Sequence, residues 1–313
     1  MKRHNLPLRC CWVLLCAGLV LVSGCSNGTG ESALDTGQLT AAVSIPPQAF
    51  LVERIGGEHI RVVTVMGPGA NPHSYLPTDR EISEVMRARV YFRIGVPFEN
   101  GKWFETVKRS RRLNIVDMRE GLTLREMASH AGTHGNTVGK AGHVHSAACD
   151  HGGLDPHVWL APGLLRRQAT TVLVTLQEIA PDRAADFQKN FDKLTGELDA
   201  LDTEIRAILE PFRGADLYVY HPSWGYFCDA YGLRQHAVEV EGKEPSDAEL
   251  TRIQDQARKA QAKVLFVQPQ IEGRSAKALA KLLGAEVRVL DPLAYDVIAS
   301  LRNAAKAIAE AGR

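Results

Sequence analysis

The chain has 313 residues, with 37 Lys and Arg against 36 Asp and Glu and a formal net charge of +1. That balance leaves no basic stripe for nucleic acid and no polybasic patch for a membrane surface, so neither is expected as a partner. Six cysteines in this length, four of them within the first 25 residues, rule out a disulfide scaffold.

Residues 1–24 read as an export signal. Lys2, Arg3 and Arg9 make a basic start, and Cys10 to Val22 is an apolar stretch of about a dozen residues, short of the ~20 that a spanning helix needs. It ends in Val22-Ser23-Gly24-Cys25, which resembles a bacterial lipobox and makes Cys25 the expected lipidation site. An uncleaved anchor and an ordinary secretory signal are the alternatives. Cleavage before Cys25 takes the basic count from 37 to 34 against 36 acidic residues, a net charge of −2. Residues 25–38, rich in Gly, Ser and Thr, form a tether. Only Cys149 and Cys228 remain in the body, and their pairing is left open.

The body is long enough for two domains. A first α/β lobe is expected at 39–180, a linking helix at 181–211 and a second α/β lobe at 212–313. In the first lobe Leu39–Ser44, Arg61–Met66, Val90–Ile94 and Asn114–Asp117 are predicted strands. Helices are predicted near Gln48–Ile55 and Thr78–Arg87, the second opened by Thr78 with Glu81 as a capping box. In the linking segment Phe187, Phe191, Leu194, Leu198, Leu201, Ile205 and Ile208 form one apolar stripe with steps of four and three. That spacing predicts a helix from about Asp182 to Glu210, roughly 40 Å long, with Gly196 inside it weakening it by ~1 kcal/mol relative to alanine. The second lobe has predicted strands at Leu217–Tyr220, Val264–Val267 and Val287–Leu290. Its helices lie near Asp247–Ala260, capped by Ser246 with Glu249, then Ser275–Leu283 and Val297–Ala309. Alternation of strands and helices predicts an α/β fold with mainly parallel sheets.

Three histidines stand beside prolines in turn-like phrases: Asn71-Pro72-His73, Asp155-Pro156-His157 and His221-Pro222. Proline fixes the backbone and limits where each ring points. His73 lies in the loop after a predicted strand, His221 directly follows another, and Asp291 follows a third. Ligands in open α/β sheets bind outside the carboxyl ends of the strands, so a cleft between two lobes is the predicted site. Taken singly, each histidine reads more simply as a hydrogen-bonding loop residue. Together, three neutral nitrogens and the Asp291 oxygen suit a roughly tetrahedral Zn²⁺ better than magnesium or calcium, with Mn²⁺ as the chemical alternative. Protons compete for the same nitrogens, so acid releases the cation.

A second group, His130, His134, His143, His145 and His151, lies in a run at 129–153 rich in Gly, Ala, Ser and Thr. It has no periodicity and reads as a mobile loop with weak, auxiliary metal capacity, against the simpler reading of a solvated loop. The acidic run Glu239, Glu241 and Glu244 reads first as a solvated charge run, with a role behind the histidines or a docking surface as the sharper alternatives.

The histidine phrases, with Glu241-Gly242-Lys243-Glu244-Pro245-Ser246, Val267-Gln268-Pro269-Gln270 and Asp291-Pro292-Leu293, resemble the zinc/manganese-binding lipoproteins of bacterial ABC importers. The likeness runs in order from about residue 39 to the end. It implies two Rossmann-like lobes joined by one rigid helix, with a single cation between them. It also implies His73, His157 and His221 as ligands, Asp291 as the fourth, and zinc more than manganese because a His-rich loop is present. Asn71 stands where the family often has Asp, and Pro222-Ser223 where an acidic or small pair is commoner, which puts the hydrogen bonds behind the rings in doubt.

The function expected is capture of Zn²⁺ outside the cytoplasm and its delivery to an ABC-type permease, by a monomer lipid-anchored in the cell envelope. No enzyme is expected: a hydrolase needs a water position with a general base beside it, and the chain has no His-Glu-x-x-His. A manganese-binding homologue and a metal-dependent surface adhesin are the alternatives.

Overall fold

Short β-branched and aromatic runs separated by helices form two four-stranded sheets in the computed structural model, which describes residues 38–127, 153–239, 247–259, 262–270, 280–282 and 284–312. The first sheet contains β1 (Leu39–Val43), β2 (Ile60–Thr64), β3 (Val90–Arg93) and β4 (Asn114–Asp117), in the order β2-β1-β3-β4. The second contains β5 (Asp216–Val219), β6 (Arg234–Ala237), β7 (Val264–Val267) and β8 (Glu286–Val289), in the order β6-β5-β7-β8. All pairings are parallel. Both sheets therefore run second, first, third, fourth, and each has its switch of direction between its first and third strands. The crevice outside the carboxyl ends at such a switch is where α/β sheets hold ligands.

The predicted strands agree with the observed ones to within two residues at each end. β6 was not predicted, because Arg-Gln-His-Ala has no apolar alternation. It is an edge strand held on β5 by pairing of Asp216 with Arg234 and Tyr218 with His236, by the Arg234–Asp216 ion pair at 2.7 Å, and by His236 stacked on Tyr218 at 5.0 Å.

The helices are α1 (Pro46–Gly56), α2 (Asp79–Arg87), α3 (Lys102–Lys108), α4 (Pro162–Ile179), α5 (Ala184–Leu209), α6 (Gly225–Tyr231), α7 (Asp247–Lys259) and α8 (Val297–Ala311). The capping box is present: Thr78 Oγ1 accepts the Glu81 amide at 3.3 Å, and Glu81 Oε2 accepts the Thr78 amide at 2.7 Å. The short α3 and α6 were not predicted, nor was α4, although Leu165, Ala169, Val172, Leu173 and Leu176 line its buried face.

The linking helix α5 has 26 residues, roughly 39 Å at 1.5 Å per residue. Phe187, Leu194, Leu198, Leu201 and Ile205 are buried along it, and Gly196 lies on its exposed face. It packs on α1 and α4 of the first lobe and on α8 of the second. Arg54–Glu197 and Arg302–Glu204 add ion pairs at 2.8 and 2.7 Å, but these are partly exposed and each contributes at most about 1 kcal/mol. The apolar stripe dominates, at about 1.5–3 kcal/mol for each buried Leu or Phe. One apolar cluster runs from β1 and β3 through α5 to Leu217, Phe227 and Leu301, so the lobes share a core within the unit 37–313. A smaller cluster of Tyr218, Val238, Ile253 and Leu265 lies elsewhere in the second lobe.

Residues 1–37, which include Cys25, lie outside the described residues. So do the loop residues His130, His134, His143, His145 and His151, together with Cys149, Glu241, Glu244, Ser246 and most of Ser275–Leu283. Among the described residues no helix is long and apolar enough to cross a membrane.

Candidate metal centre

Three phrases around the cleft use one local device. Asn71 Oδ1 accepts the His73 amide at 2.9 Å, Asp155 Oδ1 accepts the His157 amide at 2.9 Å, and Asp291 Oδ1 accepts the Leu293 amide at 3.0 Å. In each, an Asx side chain folds over a proline to cap the amide two residues on, which fixes the third residue's direction. That third residue is histidine in the first two phrases and Leu293 in the last. His221 is presented differently: the Tyr220 amide bonds Phe266 O at 2.8 Å, and the Ser223 amide closes back on His221 O at 2.8 Å ahead of α6.

These turns bring the rings of His73, His157 and His221 together. His73 Nε2 lies 3.4 Å from His221 Nε2, and the ring centroids are 4.8 Å apart. The His157 and His221 centroids are 5.2 Å apart. Two nitrogens bound to one tetrahedral zinc at 2.0–2.1 Å stand about 3.3–3.4 Å apart, so the His73–His221 spacing already fits such an ion. Among the described residues no three His, Cys, Asp or Glu side chains form a complete metal-holding group as they stand, so three-ligand binding requires the rings to move. Val96 and Pro97 from the loop after β3, Trp159, Gln268 after β7 and Leu293 complete the cavity wall. The wall therefore joins the carboxyl ends of strands from both sheets. A larger hollow at the amino-terminal ends of β5 and β7, lined by Leu217, Arg234, Lys263 and Ile308, has no imidazole among the described residues that line it.

Two carboxylates stand behind the rings. Asp155 Oδ1 accepts a hydrogen bond from His157 Nδ1 at 2.7 Å, and Glu239 Oε2 accepts one from His221 Nδ1 at 3.2 Å. An ionised carboxylate only accepts, so both imidazoles carry their proton on Nδ1 and turn the Nε2 lone pair toward the cavity. Burial lowers the His157 pKa, and His221 and Arg125 act in the same direction, opposed by Asp155. The His73 pKa is lowered to about 4, first by burial and then by His221 and His157, with Glu239 opposing. His73 retains exposed surface at the mouth, where water screens part of this effect. Both shifts keep rings neutral and ready for a cation at neutral pH.

Asp291 does not line the cavity, although Pro292 and Leu293 after it do; its Oδ1 accepts from Gln270 Nε2 at 3.0 Å as well as from the Leu293 amide. The two lobes are tied close to the rings by Trp159 Nε1 donating to Pro292 O at 2.6 Å and Tyr226 OH donating to Asp155 O at 2.8 Å. Glu239, placed by the sequence in a solvated charge run, is 8% exposed and directed at His221. The signal that would have found it is β6, which ends two residues before it. Cys228 is a buried free thiol, pushed up to about 12 by burial.

The family model for the periplasmic zinc-uptake complex component A, ZnuA, matches residues 42–311. The crystal structure of ZnuA is 35% identical, covers 88% of this chain and 100% of its own, and superposes with a TM-score of 0.78. A ZnuA deletion mutant with zinc bound is 34% identical over 88% of this chain and 98% of its own, with a TM-score of 0.76. The zinc-binding lipoprotein AdcA of Streptococcus pneumoniae is 25% identical over 295 residues, 94% of this chain but 56% of that longer protein.

Proposed function

The chain belongs to the periplasmic zinc-uptake complex component A family, whose members are solute-binding proteins of ABC importers, and from that premise we propose how it handles its cargo. It captures one Zn²⁺ outside the cytoplasm between His73, His157 and His221, with Asp291 as the fourth donor, and hands it to an ABC-type permease. The observation that carries this is the convergence of three imidazoles from both lobes, two of them held by carboxylates in the tautomer that coordinates. Imidazole-rich sets favour zinc over manganese, a harder cation that prefers oxygen.

The protein is a carrier and not an enzyme. Asp155 and Glu239, the buried carboxylates nearest the rings, are each committed to an imidazole Nδ1, which leaves neither free to activate water. It acts as a monomer, tethered to the envelope through lipid on Cys25, and the histidines of 129–153 add weak auxiliary capacity. Residues 26–313 bind one tight equivalent of zinc in elemental analysis and chelator competition. The double substitution His73→Ala, His221→Ala abolishes that equivalent; tight binding that persists in it would sink the site assignment. An adhesin would instead keep its surface partner in the same double variant.

A further inference from the structure

Arg125 follows β4 in the first lobe, outside the ligand set, and connects the segments that carry His157 and His221. Its carbonyl accepts the Asp155 amide at 2.9 Å, and its amide donates to Tyr226 OH at 3.1 Å. Its guanidinium Nε stands 4.0 Å from Asp155 Oδ2 and 3.5 Å from Asp229 Oδ2, with the cation over the Tyr226 ring at 5.9 Å. Asp155 is 1% exposed and is the carboxylate that orients His157. Tyr226 and Asp229 belong to α6, the helix that begins four residues after His221. The guanidinium rests on Gly225: a Cβ there would lie 1.4 Å from Arg125 Nη1. A side chain at 225 and the guanidinium therefore compete for one space.

We infer that Arg125 is an interlobe positioning residue, whose guanidinium, seated on Gly225 between Asp155 and Asp229, holds the His157 carboxylate in register with the helix that follows His221. Zinc capture needs a ring from each of these segments, so a clamp between their supports sets how well the Nε2 atoms converge. A planar cation suits this place because it faces two carboxylates with a glycine and a tyrosine ring beside it. The inference rests on the capture reading above and assigns that site a residue that touches no metal.

The test uses residues 26–313, with zinc affinity from chelator competition, the visible spectrum of the Co²⁺-loaded protein, and the melting temperature without metal. Arg125→Gln weakens zinc by about tenfold, at the lower end of what loss of a ligand's outer support costs, and alters the Co²⁺ bands. Arg125→Lys, which keeps the charge, recovers part of the loss. Gly225→Ala displaces only the far end of a flexible side chain and needs no positive φ, so the fold survives. It reproduces the Arg125→Gln loss, and the double variant is no weaker than either single one. Wild-type affinity and an unchanged Co²⁺ spectrum in Arg125→Gln and Gly225→Ala overturn the inference, as does a lowered melting temperature with affinity intact. Failure of the unaltered protein to take one tight zinc sinks the capture reading itself; tight zinc there with no effect of either substitution removes only the role of Arg125.

Discussion

Asp155 performs two tasks with one oxygen, and substitution separates them. Its Oδ1 caps the turn through the His157 amide at 2.9 Å and accepts a hydrogen bond from His157 Nδ1 at 2.7 Å. Asp155→Asn keeps an oxygen for both contacts and removes only the charge. A hydrogen bond to a charged group contributes about 1.5–3 kcal/mol against 0.5–1.5 for a neutral one. The difference, about 1–1.5 kcal/mol, is near a tenfold loss of zinc affinity. Asp155→Ala removes both contacts and frees the ring to turn, so affinity falls by about a hundredfold, the upper end for loss of such a support. The metal-free alanine variant also loses roughly 2–4 kcal/mol of stability, since two buried N–H groups lose their acceptor. Chelator competition and urea unfolding on the same preparations measure the two quantities. Equal zinc affinity in the wild type, Asp155→Asn and Asp155→Ala would refute the claim that the carboxylate sets the ring's tautomer and aim. A loss in stability alone would leave Asp155 as a turn residue only.

Acid acts on the metal-free protein in a defined window. The folded-state pKa of His73 is about 4 against an ordinary 6.5, and that of His157 is also lowered, so the unfolded chain takes up protons first as pH falls. Stability is full above about pH 6.5, declines as pH falls, and the His73 share is gone below about 4; a melting temperature that rises on acidification through this range would contradict the shifts. Zinc is released on the same side, because protons and metal compete for Nε2, and a zinc titration at stepped pH follows it. A further prediction concerns the cavity wall. Glu99 is fully buried and accepts from Ser44 Oγ, from the Ile94 and Gly95 amides at 2.9 and 2.8 Å, and from Arg93 Nε at 3.0 Å. It pins the turn that carries Val96 and Pro97, and Glu99→Ala destabilises the protein by about 3–5 kcal/mol in urea unfolding; a cost under about 1 kcal/mol would show that the network adds little.

What the sequence determined by itself is local or periodic. The steps of four and three from Phe187 to Ile208 specify α5 and its buried face, since a helix repeats every 3.6 residues whatever surrounds it. Asn-Pro-His and Asp-Pro-His specify turns that fix where a ring leaves the chain, since the capping oxygen lies two residues from the amide it accepts. Only the tertiary structure decided which groups meet. His73 and His221 face each other across 148 residues of chain, and Glu239 reaches His221 because β6, too polar to announce itself as a strand, pairs at the edge of β5 and carries it inward. Asp291 shares the Asx-Pro pattern of the histidine phrases, yet one oxygen is spent on its own turn and on Gln270. Local rules set a side chain's direction, whereas its partner depends on the packing of two sheets against one shared helix, a long-range property that no short phrase contains.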